Sequence, residues 1–156
     1  MKLQEIMIRD VIQISPDESV AEAAKRMRQE SIGSLVATVD GVIKGIITDR
    51  DLLGCLTETH DPYQCPVSAH MKNPVIALGP EDDHITAVDV MRKKQIKRLP
   101  IVQKGKLLGM VSLSDLATVG DNQVEDLWPS WNFITALVRN QAAKGRMAKN
   151  RHLHRA

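Results

Sequence analysis

The chain has 156 residues, 43% of them apolar and only 3% aromatic, and a formal net charge of +2. This length allows one compact domain with an aliphatic core. The net charge is too small to indicate a nucleic acid or any other highly charged partner for the chain as a whole. The sequence contains no apolar run of about 18 residues, so it predicts no membrane-spanning helix. Two cysteines and an N-terminus without an apolar signal region favour a cytoplasmic location.

The first predicted element is a short strand at residues 11–14, which are mostly β-branched. Pro16 follows in a turn of the kind that opens a helix. The predicted helix carries apolar residues at helical spacing, namely Val20, Ala23, Ala24 and Met27. Because one face of this helix is apolar, we expect it to cover a sheet.

Two further strands are predicted at residues 34–39 and 42–47, with Asp40 and Gly41 between them. An Asp-Gly pair between apolar runs is a strong signal for the two-residue turn of a β-hairpin. A second helix begins near Thr48, so the first unit has the order β-α-β-β-α. The polar, turn-like segment at residues 58–66 is predicted to be a linker.

The second half of the chain repeats this order 64 residues later. Residues 45–52, Gly-Ile-Ile-Thr-Asp-Arg-Asp-Leu, recur at 109–116 as Gly-Met-Val-Ser-Leu-Ser-Asp-Leu. Two copies of one unit favour a closed pseudo-symmetric pair over a long solenoid. The elements expected from the second copy are a strand at 75–78, a helix with Ile85, Val88 and Met91, strands at 99–102 and 107–111, and a helix from Ser112.

We therefore predict an α+β fold with one repeat over residues 1–60, a second over 61–120 and a C-terminal region over 121–156. In the last region Trp131, Ile134 and Val138 have helical spacing, which predicts an amphipathic helix. From Lys144 onward the chain is basic without any acidic residue, and we interpret this end as a solvated tail. Such a tail could also contact nucleic acid or an acidic partner electrostatically.

One motif occurs in both copies, as Thr48-x-x-Asp51 and Ser112-x-x-Asp115. A hydroxyl followed three residues later by an acid forms a capping box, and this structural role alone explains the motif. However, the motif twice follows a hairpin strand and opens a helix, where free N–H groups attract anions. A carboxylate at such a place can also accept hydrogen bonds from a ribose diol, as in dinucleotide-binding folds.

The β-α-β-β-α repeat, the duplicated Gly-hydrophobic-hydrophobic-(Thr/Ser)-x-x-Asp signature and the strand at residues 99–102 resemble a tandem pair of CBS (cystathionine β-synthase) domains, a Bateman module. The resemblance covers about residues 5–119. It implies two repeats packed as a pseudo-two-fold pair, with adenosine ligands such as AMP, ADP, ATP or S-adenosylmethionine in the clefts between them. It also implies that Asp51 and Asp115 hold ribose hydroxyls and that Thr48 and Ser112 approach phosphate or ribose. Adenine would be framed by Ile12, Ile46, Ile76 and Met110.

The two copies differ around this motif. Lys97 and Arg98 precede Leu99-Pro100 in copy two, where related nucleotide sensors place a basic pair that meets phosphate, whereas the corresponding Gly33-Ser34 carries no charge. Copy two also has an extra hydroxyl at Ser114. We therefore favour the Asp115 pocket as the phosphate site, although a solvated strand end would equally explain the basic pair. In copy one Arg50 could reach a phosphate, Asp49 would repel one, and Val36 replaces Pro100.

Four residues of zinc-ligand type, Cys55, His60, Cys65 and His70, follow one another at intervals of five. Zinc sites more often contain a close Cys-x-x-Cys pair. We interpret the four as ordinary cysteines and surface histidines, expect no metal, and keep a metal-bridged linker as an alternative. His152 and His154 in the tail could bind metal only loosely.

The sequence contains no set of nucleophile, base and orienting group, and no Walker or dinucleotide glycine motif. We therefore predict a stand-alone regulatory protein, not an enzyme, that has no cofactor and binds an adenine nucleotide, with AMP or ATP favoured. A homodimer and an unidentified protein partner are expected, and no membrane. The alternative is a scaffold with vestigial clefts that acts through its tail. A hydrolase or transferase is disfavoured because carboxylates in separate clefts cannot share a proton.

Overall fold

The computed structural model describes residues 1–58 and 60–119 of the chain, so the predicted C-terminal helix and basic tail lie outside the described residues. Within the described part, no helix combines the length and the apolar character that crossing a membrane requires. The elements in chain order are α1 (Leu3–Ile6), β1 (Gln13–Ile14), α2 (Val20–Glu30), β2 (Ser34–Val39), β3 (Val42–Thr48), α3 (Asp49–Thr57), a 3₁₀ turn (Val67–Ala69), α4 (His84–Lys94), β4 (Arg98–Gln103), β5 (Lys106–Ser112) and α5 (Leu113–Thr118).

The described chain divides into two compact units. The first unit contains Met1–Met7, Glu81–Leu99 and residues 111–119, and the second contains Ile8–Pro80 and Pro100–Met110. The first unit therefore holds α1, α4 and α5. The second holds β1 to β3, α2, α3 and the turn of the β4–β5 hairpin.

The strands form a five-stranded sheet in the order β1-β2-β3-β5-β4. Strand β1 runs parallel to β2, with Gln13 opposite Val36, and β2 is antiparallel to β3. Strand β3 continues to β5 through the pair Val42 and Lys106. The two predicted hairpins, β2–β3 and β4–β5, are thus confirmed.

The duplication extends to unusual backbone conformations. The two hairpin turns have positive φ at both central residues, 52° and 77° at Asp40 and Gly41 and 51° and 78° at Lys104 and Gly105. This is the geometry of the type I′ turn, which matches the twist of the flanking strands. Helices α2 and α4 are each followed by a residue in the left-handed backbone conformation, Ser31 with φ of 54° and Gln95 with φ of 56°. These two residues are 64 positions apart, the period of the repeat.

The apolar faces of the helices are buried largely as predicted. In the second unit Ala23 and Met27 of α2 form a core cluster with residues of the sheet and the 3₁₀ turn, namely Ile14, Leu35, Ala37, Ile47 and Val67. Ala24 is exposed instead, so the buried stripe of α2 is narrower than expected. In the first unit Val88 and Met91 of α4 are fully buried.

The first strand of each copy is shorter than predicted. Residues 11–14 contribute only Gln13–Ile14, and residues 75–78 contribute a single bridge from Leu78 to Ile101. There the Leu78 N–H donates to the Pro100 carbonyl at 3.1 Å, and the Val102 N–H donates to the Leu78 carbonyl at 2.8 Å. A β-branched run gives only a preference for extended backbone, and the strand exists only where a partner edge meets it.

Gly45 on β3 is predicted to tolerate no larger side chain. A Cβ at this position would lie 2.5 Å from Met71 Sδ and 3.2 Å from the Lys72 carbonyl oxygen. The Met71 side chain can change its conformation, but the Lys72 carbonyl can move only if the backbone shifts, which costs free energy. We expect Gly45→Ala to lower the free energy of unfolding by about 1–3 kcal/mol, the usual cost of overpacking, in a urea titration.

Gly54→Ala on α3 is the matched control for this substitution. Its added Cβ would meet only His70 Nδ1, at an ordinary 3.9 Å. Because alanine favours the helix over glycine, we expect the control to raise the free energy of unfolding by up to about 1 kcal/mol. Equal destabilisation by both substitutions would contradict the packing explanation.

Candidate functional site

The capping box of α3 is complete. The Thr48 N–H donates to Asp51 Oδ2 at 2.8 Å, and the Thr48 hydroxyl donates to the same oxygen at 2.7 Å. In return the Thr48 hydroxyl accepts a long hydrogen bond of 3.4 Å from the Asp51 N–H. One carboxylate oxygen and the hydroxyl are therefore committed to starting the helix.

The capping box of α5 in the first unit has the same construction. The Ser112 N–H and hydroxyl donate to Asp115 Oδ2 at 2.8 and 2.6 Å, and the Asp115 N–H donates back to the hydroxyl at 3.2 Å. The additional hydroxyl of Ser114 lies 2.7 Å from the Ser112 hydroxyl. The structural role that we inferred for the duplicated motif is thus confirmed in both copies.

The second oxygen of each carboxylate distinguishes the copies. Asp51 Oδ1 lies 3.4 Å from the ammonium of Lys72, and the Asp51 side chain is only 11% exposed while that of Lys72 is 70% exposed. Asp115 Oδ1 has no hydrogen-bond or ion-pair partner among residues 1–58 and 60–119. The copy-two carboxylate therefore keeps an acceptor available for a ligand hydroxyl.

Lys72 was missed by the sequence analysis. Its backbone pairs with that of Ile46 through hydrogen bonds of 2.7 and 3.1 Å. The equivalent position 64 residues earlier is Ile8, which pairs in the same way with Met110, at 2.9 Å in both directions. A comparison of the two copies at this position would have revealed that only one of them offers a cation.

The basic pair of copy two lies at the start of β4. The Leu113 N–H donates to the Lys97 carbonyl at 2.9 Å, which brings this backbone beside the start of α5 and its capping box. Lys97 and Arg98 are exposed, and their side chains form no ion pair within the described residues. Two unpaired cations thus belong to the same unit as Asp115.

The corresponding place in copy one carries no such pair. The Asp49 N–H donates to the Gly33 carbonyl at 3.1 Å, as the Leu113 N–H does to Lys97. Asp49 Oδ1 accepts a hydrogen bond of 2.8 Å from the Arg50 N–H, so it faces its own helix. Arg50 is exposed, and it is the one basic residue in the first turn of α3 in the described chain.

The residues expected to frame an adenine belong to the second unit. Ile12 and Ile46 are half-buried, and Ile12 packs against the core cluster of α2 and the sheet. Ile76 is exposed, and Met110 is half-buried on β5. Pro100 is buried on β4 and belongs to the same unit. These side chains therefore include apolar surface that is partly open to solvent.

Comparison with known proteins gives the family. The model of the CBS domain matches residues 3–58 and 67–121. The chain is 36% identical over 115 residues to the CBS domain-containing protein YhcV of Bacillus subtilis. The aligned region covers 74% of this chain and 82% of YhcV. It is 33% identical over 116 residues to the inosine-5′-monophosphate dehydrogenase of Korarchaeum cryptofilum, but it spans only 23% of that enzyme.

The fold is also found among solved structures. The CBS domain pair of protein MJ0100, in complex with 5′-methylthioadenosine and S-adenosyl-L-methionine, has a TM-score of 0.69 and 22% sequence identity to this chain. The match covers 76% of this chain and 94% of that one, and at this identity it shows a common fold. Since the family model matches both halves of a chain that is itself duplicated, the chain belongs to the CBS domain family as an α+β tandem CBS pair.

Proposed function

We propose that this CBS pair is a regulatory module that binds an adenine nucleotide, with AMP or ATP as the favoured ligands, through the capping box of its second repeat. The observation that carries the proposal is Asp115, whose Oδ2 is held by Ser112 while its Oδ1 has no partner among the described residues. An acceptor that is both fixed and available suits a ribose hydroxyl, because little side-chain entropy remains to be lost on binding.

A basic pair in the same unit supports a phosphate-bearing ligand. Lys97 and Arg98 stand at the start of β4, next to the backbone that meets α5. Their charges are not neutralised by any residue in the described part of the chain. Hydrogen bonds to phosphate from charged donors are about twice as strong as neutral ones, and arginine adds a bidentate geometry.

The first repeat is proposed to be the weaker site. Its carboxylate Asp51 already has the ammonium of Lys72 at 3.4 Å, which a ligand hydroxyl would have to displace. A surface ion pair of this kind contributes only about 0–1 kcal/mol, so the site is disfavoured and not abolished. We therefore expect one tightly bound nucleotide per chain.

The choice of an adenosine ligand is consistent with the fold of the family. The MJ0100 pair, which has the same fold, binds two ligands that both contain an adenosine group. That likeness is one of fold alone, and in this chain it is Asp115 and the basic pair that support an adenine nucleotide as the ligand. Signalling then requires only that the ligand bind one conformation of the pair more tightly than another and shift its population.

We also expect a homodimer and a protein partner. Leu53 and Leu56 lie three residues apart on α3 and are 60% and 62% exposed, which leaves an apolar strip on this helix. Burial of such a strip against a second copy would stabilise a symmetric pair. A nucleotide-dependent change in this assembly would carry the signal to the partner.

The second candidate function is a scaffold that acts through its C-terminal tail. The observation in its favour is that both capping boxes are complete, so neither motif needs a ligand to explain it. In that case the Asp residues would stabilise helices and do nothing more.

Thermal unfolding with AMP, ADP, ATP, S-adenosylmethionine and NAD, each in excess, distinguishes the two functions. A ligand that binds only the folded state raises the free energy of unfolding by about 2.7 kcal/mol at one hundred times its dissociation constant. We expect such a rise with at least one adenine nucleotide and its loss in Asp115→Ala. Asp51→Ala, which removes the equivalent cap, is the matched control and should retain most of the rise.

Either of two results would contradict the proposal. The absence of a rise with any of the five ligands would favour the scaffold. An equal loss in Asp51→Ala and Asp115→Ala would show that the two carboxylates act only through the stability of their helices.

Replacement of the basic pair tests the phosphate contact. We expect Lys97→Ala combined with Arg98→Ala to weaken binding of AMP by about tenfold or more, since each charged hydrogen bond contributes about 1.5–3 kcal/mol. Binding of adenosine, which lacks the phosphate, should change little. Calorimetric titration measures both, and Lys44→Ala, an exposed lysine of β3, controls for the general loss of positive charge. A uniform weakening of both ligands would place the phosphate elsewhere.

A further inference from the structure

The second unit gathers thiol and imidazole groups on α3 and in the segment that follows this helix. Cys55 on α3, Cys65 in the segment before the 3₁₀ turn and His70 directly after that turn have ligand atoms within 4.8 Å of one another. Cys65 Sγ lies 3.1 Å from His70 Nε2. The intervals of five residues in the sequence, which we interpreted as incidental, thus correspond to a real cluster in space.

We propose that this cluster is a zinc site, in which Cys55, Cys65 and His70 bind one Zn²⁺ and His60 completes the coordination. Two thiolates and two imidazoles form one of the common structural zinc sets. The same set disfavours Mg²⁺ and Ca²⁺, which prefer oxygen ligands.

His60 is assigned as the fourth ligand from its position beside His70. The rings of the two histidines have centroids 6.3 Å apart in an edge-on arrangement. Glu58, His60 and His70 also have ligand atoms within 4.8 Å of one another. His60 Nδ1 lies 3.6 Å from Glu58 Oε2, so a small approach would let the carboxylate accept its N–H and would leave Nε2 for the metal. Metal-bound histidines commonly have such a carboxylate partner.

The backbone holds the ligands near their places before any metal binds. The Cys65 carbonyl accepts a hydrogen bond of 2.9 Å from the Val20 N–H of α2, and the Cys65 N–H donates to the Asp61 carbonyl at 3.0 Å. The His70 N–H donates to the Val67 carbonyl at 3.0 Å. Tetrahedral zinc places a thiolate sulfur and an imidazole nitrogen about 3.5 Å apart. Cys65 Sγ and His70 Nε2 lie at a similar separation, 3.1 Å, without a metal.

Packing alone does not account for the cluster. Cys55 and Cys65 are buried with Val20 in a small apolar group, where two aliphatic side chains would serve equally well. The half-buried imidazole of His70 is instead directed at one of these sulfurs. Burial, together with the neighbouring Cys65, raises the pKa of the Cys55 thiol. Coordination by two thiolates releases two protons to the solvent and involves no change of oxidation state.

The test uses the full chain, reduced with a phosphine and stripped of metal by a chelator. Zn²⁺ alone is titrated in competition with a chromophoric chelator, and Co²⁺ alone is used as a spectroscopic probe. We expect one Zn²⁺ per chain and the charge-transfer absorption of a tetrahedral cobalt thiolate. Cys65→Ser and His70→Ala should each weaken zinc binding by more than about 100-fold. Such a loss is larger than the roughly 10–100-fold loss caused by replacing a residue that only hydrogen-bonds to a metal ligand.

Three further variants locate the metal. His60→Ala should weaken binding by at least about tenfold, as the loss of one of four ligands. Gln64→Ala, next to Cys65 but exposed, should leave binding unchanged. The double variant His152→Ala and His154→Ala, in the tail, should also leave it unchanged.

The proposal is overturned if the reduced chain binds no zinc, or if the cobalt complex lacks thiolate absorption. It is equally overturned if Cys65→Ser and His70→Ala bind zinc as the unmodified chain does, because the metal then lies elsewhere. Should Cys65→Ser fail to fold, His70→Ala and the cobalt spectrum still decide the matter, since His70 is only half-buried.

Discussion

The capping box at the start of the second helix of each repeat is the interaction on which the rest of the structure depends. One carboxylate oxygen accepts from both the N–H and the hydroxyl of the cap residue, at 2.6–2.8 Å in the two copies. This pair of bonds ends the hairpin strand, begins the helix and orients the carboxylate. The same bonds leave the other carboxylate oxygen for a different partner. In the proposed function, the same carboxylate both caps the helix and binds the ligand, so the motif is stable with or without a ligand.

The difference between the repeats follows from the partner of that second oxygen. Lys72 occupies it in copy one, and the equivalent position of copy two is Ile8, which has no charge to offer. The basic pair of β4 adds to the contrast, since copy one has Gly33 and Ser34 in its place. Duplication thus supplied two similar frames, and these few differences are the basis for proposing the second repeat as the nucleotide site. The thiol and imidazole cluster joins Cys55 of α3 to the segment that follows copy one.

Much of this architecture was predictable, because the relevant signals are local. Asp40-Gly41 specifies its turn through backbone conformation alone, and Thr48 and Ser112 begin helices through contacts only three residues long. The elements that differed depend on distant partners. Residues 75–78 have strand propensity but meet the sheet only at Leu78. Lys72 reaches Asp51 across 21 positions, and the cysteines and histidines converge only because the loop folds back onto α3. Spacing along the chain cannot reveal such contacts.

The most direct test of the account is the number of nucleotides that one chain binds. Calorimetric titration of the reduced full chain with AMP, and separately with ATP, gives this stoichiometry without assuming a mechanism. We predict one tight site per chain for the preferred nucleotide. Of the two capping carboxylates, only that of Asp115 keeps an oxygen without a partner among the described residues. Two equivalent sites would contradict the proposed role of Lys72, and the absence of binding to either nucleotide would contradict the central claim.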